Sequence, residues 1–266
     1  MGIVQIYLKL INISMKSRMQ YRTDFLTGIL GILVFNAINI SLIGIIVTRF
    51  VHLNGWSIWE LVFLYSLWIL GHSIFSLLFW QLTSMEEYLI NGTFDQFLTR
   101  PISPLVQLLG REIQYLGIGD AIIGILGITL AYYNLGLDWS FFEFIYFLVS
   151  VLSGTGIEVA IFWMIACISF WTGRSMTAST VLWRINSMVQ QYPIDIFGKW
   201  FQIVVTGIIP VAFMNFYPSI ALLGKTDAYD HPNWINYMSP IVAIVLLLIA
   251  SKIWSLALKR YSSSGN

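Results

Sequence analysis

The sequence predicts an all-α polytopic membrane protein: an N-terminal interfacial helix, six transmembrane helices, and a re-entrant segment between the fifth and the sixth. Three observations predict it. Of 266 residues 58% are hydrophobic and only 10% charged, at a mean hydropathy of +0.77, which leaves too little polar surface to coat a soluble globule. Six runs are apolar and long enough to cross a hydrocarbon core of about 30 Å, for which roughly 20 helical residues suffice. The basic residues also segregate. With the N-terminus cytoplasmic, Lys9, Lys16, Arg18, Arg22, Arg100, Arg111, Arg174, Arg184, Lys199, Lys252, Lys259 and Arg260 fall inside, and only Arg49 and Lys225 outside. This is the positive-inside pattern of six helices with both chain ends in the cytoplasm.

The elements follow in order. Residues 1–23 place Ile3, Ile6, Leu10 and Ile13, beside Val4, Leu8, Ile11 and Met15, on one helical face, with Gln5, Lys9, Asn12 and Lys16 opposite. Such a helix lies in the interface with its bases towards anionic head groups, and it is not read as a signal peptide. Residues 24–50 form the first span and 57–82 the second, with Glu60 near its start. Residues 83–112 are polar, turned at Asn91-Gly92 and stiffened by Pro101 and Pro104. Residues 113–133 form the third span and 142–171 the fourth, long enough to tilt. Residues 172–199 read as a second cytoplasmic segment. Residues 200–223 form a fifth span that breaks at Pro210 and continues as a re-entrant excursion from Phe213 to Leu223. Irregular backbone at that depth is tolerated only under protein cover or beside a water-filled cavity. Residues 236–258 form the sixth span. Gly28, Gly31, Gly124, Gly127, Gly154 and Gly156 let helices approach closely.

Little reads as chemistry. The run Leu223-Gly224-Lys225-Thr226 ends like a phosphate-binding loop, but Ser219 stands where its first glycine belongs. His52, His72 and His231 show no paired spacing for a metal, and no Gly-x-Ser-x-Gly elbow occurs. A formal charge of +1 carries no nucleic-acid signature, and Cys167 has no second cysteine to pair with. Asp120 in the third span and Glu158 in the fourth are intramembrane carboxylates, either functional groups or hydrogen-bonding links between helices.

Three stretches carry a family resemblance: GTFDQFLTRPISPL at 92–105, QYPIDIF at 191–197 and IPVAFMNFYP at 209–218. With the interfacial helix and six spans, the chain resembles the permeases of ABC type-2 exporters, particularly the bacterial drug-export-like branch. The resemblance implies the ABC type-2 exporter fold in a bacterial cytoplasmic (inner) membrane. It implies a permease that pairs with an identical or paralogous second permease and is driven by a separate dimer of ABC ATPase subunits. ATP and Mg would be held by those subunits, this chain binding no cofactor and catalysing nothing itself. The coupling segment would contact the ATPase through Glu86, Glu87, Phe94, Asp95, Phe97, Leu98, Arg100 and Pro101. Asn36 and Asn39 would face the pathway, with Phe213, Phe216 and Tyr217 at its outer gate. The cargo class stays open among drugs, lipids, peptides and glycolipids, in the manner of multidrug efflux. Two other readings stand beside it: a membrane-embedded lipid-modifying enzyme using Asp120 and Glu158, and an accessory membrane subunit that does not transport.

Overall fold

The computed structural model describes residues 3–49 and 55–261; His52 and the last residue of the expected first span lie outside them. Among the described residues every regular element is a helix. They are α1 (Ile3–Met19), α2 (Arg22–Arg49), α3 (Ile58–Phe79), the short α4 (Met85–Ile90), α5 (Asp95–Leu98) and α6 (Pro104–Leu109), then α7 (Gly117–Leu135), α8 (Phe141–Thr172), α9 (Met176–Gln191), α10 (Lys199–Ile203), α11 (Ala212–Leu222) and α12 (Ser239–Arg260). Five of these, α2, α3, α7, α8 and α12, are long and apolar enough to cross a membrane.

The boundaries have local causes. Ser57 and Ser140 each accept from the backbone N–H three residues on, while Glu60 and Glu143 reach back to the cap's own N–H, so α3 and α8 begin with capping boxes. Helices α7 and α8 end at Gly136 and Gly173, both left-handed at φ +59° and +69°.

Helix α3 is the hub, buried over most of its length and packed against α7, α8, α9 and α11. Between lipid-soluble helices there is no hydrophobic gain to bring them together, so close backbone approach and hydrogen bonds do the work. A Cβ at Gly117 would stand 2.8 Å from the Ser73 carbonyl of α3, and one at Gly154 would stand 3.0 Å from the Met214 carbonyl of α11. Gly28, Gly124, Gly127 and Gly156 also sit at tight contacts. Gly31 does not: nothing approaches it, because it lies on the uncovered side of α2. Among the residues of α2 whose burial is described, only Asn36 is buried. Helix α1 crosses the foot of the bundle, where the Tyr7 hydroxyl donates to the Leu78 carbonyl (2.7 Å) and the Ser14 hydroxyl accepts from the Ile113 N–H (2.8 Å).

Residues 172–199, expected as a second cytoplasmic segment, do not stay at one end of the bundle. At its start α9 is bonded to Glu86, at the α4 end of the bundle; its Trp183 ring meets His72 and Trp80; the Val189 carbonyl accepts from Asn215, which also reaches the Leu64 carbonyl; and Asp195, just beyond it, meets Trp56 at the opposite end. Helix α9 therefore runs antiparallel to α3 along its full length. Composition conceals this, because one face is polar and the buried face includes Ser179, Asn186 and Gln190.

The segment 199–222 folds back on itself. Helix α10 and a π turn (Val204–Ile208) meet α11 at a 104° bend around Pro210, and both arms lead to the same end of the bundle: Asp195 holds Trp56, and Lys225 holds the Gly55 carbonyl (3.1 Å). Every residue of α11 is buried.

Candidate functional site: the end segment and the polar interior

After α3 a turn of 3-10 helix leads into α4, and Gly92 at φ +66° turns the chain into α5. Gln107 on α6 donates to the Phe97 carbonyl (2.8 Å) and to the Ile102 carbonyl (2.7 Å), lashing the two-proline stretch down. The expected apolar anchor points inwards. Phe94 is wholly buried among Phe97, Phe170, Trp254 and Tyr261, and Phe97 is 4% exposed, beneath the Tyr88 ring and within 5.8 Å of the Arg111 guanidinium. Sequence spacing showed the stripe but not its direction. Two aromatic rings are the material from which a four-helix junction is packed, and α8 and α12 supply the rest of the box. The outward face carries Glu87, Leu98, Arg100 and Pro101, joined by Ile90 at 55% exposed.

Glu86 and Asp95 also turn towards the chain itself. One Glu86 carboxylate oxygen accepts the N–H groups of Ser175 and Met176 (2.5 and 2.6 Å), which are among the unsatisfied donors at the start of α9. Those two bonds hold its pKa below the usual glutamate value, with Arg174 adding a smaller pull. Asp95 accepts from the Tyr261 hydroxyl (2.7 Å) at the end of α12, and burial first, the Asp95 carboxylate second, push the phenol up to about 12. The end segment is thus bonded to the ends of both α9 and α12.

Within the bundle the two carboxylates are each tied to another helix. The Asn36 amide of α2 donates to Asp120 of α7 (2.8 Å), and its carbonyl accepts from the Tyr65 hydroxyl of α3 (2.6 Å), with Asn39 beside that hydroxyl. Glu158 of α8 is 1% exposed and meets His72 Nδ1 at 2.8 Å. The His72 ring lies flat on Trp68 at 4.8 Å and edge-on to Trp183 at 5.5 Å. Sequence reasoning set His72 aside for want of paired spacing. The signal was in register rather than spacing: a histidine and a glutamate, each near the middle of a long apolar helix, have few other partners at that depth.

At the opposite end Phe213 and Tyr217 stack at 4.6 Å, and the Tyr217 hydroxyl bonds Thr206 across the bend (3.1 Å). Phe216 packs on Trp56 and Tyr229. All three are buried, under a clasp in which the Trp56 indole N–H and the Tyr229 hydroxyl both donate to Asp195 (3.2 and 2.8 Å). The Lys225 ammonium lies 4.4 Å from the Trp56 ring and bonds Glu60 at 2.9 Å. Among the described residues no cluster of His, Cys, Asp and Glu is arranged to hold a metal.

The described residues form a helical bundle with several helices long and apolar enough to cross a membrane and an ordered polar segment at one end, the architecture of a multi-pass membrane protein. The family is explicit: the model described as "ABC-2 family transporter protein" matches residues 33–265, and the chain belongs to that family. It is the membrane component of an ABC transporter and not its catalytic part. No curated protein and no solved structure matches it significantly.

Proposed function

We propose that the chain is the permease half of an ATP-driven exporter, working with a second permease and a dimer of ABC ATPase subunits that bind ATP and Mg, in a bacterial inner membrane with both chain ends cytoplasmic. The observation that carries this is the end segment 83–112. It is too extensively bonded to be a slack loop, and its outward face of Ile90, Leu98, Arg100 and Pro101 is the right mixture of apolar and basic groups for docking in a cleft. A push on this face is delivered directly to α9 through Glu86 and to α12 through Asp95 and Tyr261. Rocking of packed elements needs such stiff ties.

In this reading α9 is the fifth span, and residues 199–222 are a helical hairpin that dips in from the outer face and returns. Lys199 then lies outside and Arg184 within the span, while the remaining inner bases keep the positive-inside pattern. The cargo is hydrophobic or amphipathic. Asp120 and Glu158 serve as links between helices, which favours transport over the lipid-modifying enzyme.

Co-purification tests the proposal. The chain, expressed with candidate ABC ATPases, should yield a complex that hydrolyses ATP. Changing Leu98→Asp together with Arg100→Glu should cut that hydrolysis by about tenfold or release the ATPase, since loss of a central interface contact commonly costs that much. An unaltered complex from the double variant would remove the segment's coupling role, and failure to recover any ATPase would remove the whole reading.

A further inference from the structure

One face of α9 is left uncovered, and an arginine stands at its middle. Thr177, Thr180, Val181, Arg184, Ser187 and Met188 are all exposed, each three or four residues from another, so they form a single stripe. The opposite face packs against α3 and α11 through Leu182, Asn186 and Val189. Arg184 is eight residues from the start of α9 and seven from its end, about 12 and 10 Å at the helical rise of about 1.5 Å per residue. Among the described residues no carboxylate pairs with its guanidinium and no ring or acceptor touches it, whereas Arg174, at the helix start, lies in the field of Glu86.

A guanidinium at that depth is costly against lipid and is retained where it meets water or a counter-charge. A second copy of this chain has none to offer there, because Asp120 and Glu158 are buried and already bonded to Asn36 and His72. Beside the stripe, sharing Thr177 and Val181, runs an apolar groove of about 820 Å³ between α8, α9, α12 and the bend, lined by Ile161, Ile185, Pro210 and Leu246, with the Glu86-facing Arg174 at the end where α9 begins and Arg184 at its rim. An isolated fork of N–H donors next to an apolar trough is complementary to one kind of molecule.

Building on the permease reading above, we propose that Arg184 recognises the phosphate of an anionic amphiphile whose tail lies along the α9 groove, making it a selectivity residue at mid-depth of the pathway. The guanidinium offers paired N–H groups that match a phosphate, which a lysine meets only as a point charge.

The test uses the full chain in complex with its ATPase, in phosphatidylcholine nanodiscs. Equilibrium binding of dodecyl phosphate should exceed that of dodecyl maltoside by about tenfold or more, the size of one charge-assisted contact. Arg184→Gln should erase that preference, Arg184→Lys should keep part of it, and Arg184→Glu should turn it towards dodecyltrimethylammonium. Inorganic phosphate should compete only weakly, since it lacks the tail; competition equal to that of dodecyl phosphate would overturn the amphiphile. Equal binding of dodecyl phosphate and dodecyl maltoside, or a preference that survives Arg184→Gln, would overturn the assignment. So would dissociation of the permease pair in Arg184→Gln and Arg184→Lys alike without change in anion preference, which would mark Arg184 as a contact to a paralogous subunit. Absence of any ATPase complex, by contrast, strikes the permease reading and not this inference alone.

Discussion

Glu86 shows how a single carboxylate can serve as a mechanical joint. Its folded pKa is lowered by two backbone N–H donors, so its contribution is complete above the ordinary glutamate value of 4.5 and fades as the pH falls through the lowered one. Thermal unfolding of the purified chain should therefore show a stability loss on acidification that Glu86→Gln flattens; matching pH profiles for the two proteins would disprove the joint. The buried His72 and Glu158 pair yields a sharper contrast. Removing only the histidine leaves a carboxylate without its partner, and His72→Ala should destabilise the bundle by about 3 kcal/mol or more. Glu158→Gln keeps shape and hydrogen bonding and should lose much less, with transport retained. A thermal melt in detergent distinguishes the two, and equal losses would deny the pairing.

At the scale of elements, the helices that sequence made legible are those whose environment is uniform. Long apolar runs gave α2, α3, α7, α8 and α12, and the prolines at 210 and 218 announced the broken region. Helix α9 escaped because hydropathy averages over all faces of a helix, and this one carries polar groups on both sides: Ser179, Asn186 and Gln190 towards its neighbours, and Thr180, Arg184 and Ser187 on the exposed side. The candidate site was legible in its location and not in its orientation. Residues 83–112 stood out as polar and stiff, but no single sequence tells that Phe94 and Phe97 face inwards while Leu98 faces out, since a stripe has the same period either way. The contact between α8 and α11 supplies a further test. Gly154→Leu would drive a side chain into the Met214 carbonyl and should displace the hairpin, lowering thermal stability by about 1 to 3 kcal/mol, the usual range for overpacking. An unchanged melt would mean that the two helices are not in close contact.

For the whole molecule, the arrangement predicts a topology that labelling can read directly. A cysteine at Gly198 should react with a membrane-impermeant maleimide from the outer face, and one at Gly173 only from within, against a background kept low by the burial of Cys167. Both reacting from inside would restore 172–199 to the cytoplasm and place the 199–222 segment across the bilayer. The polarity of α9 also bears on how the protein is made. An insertion machinery that sorts segments by hydrophobicity meets five strong candidates and passes over this one. Until α3 and α8 stand side by side in the membrane, α9 has no cradle for Ser179, Asn186 and Gln190, and no reason to leave the face on which it was synthesised. On the proposed topology its entry would be a late, post-insertional step, completed when Asp195 reaches Trp56 and Tyr229. A substitution in that distant clasp would then act during biogenesis, leaving a fully synthesised chain with its last third in the wrong compartment.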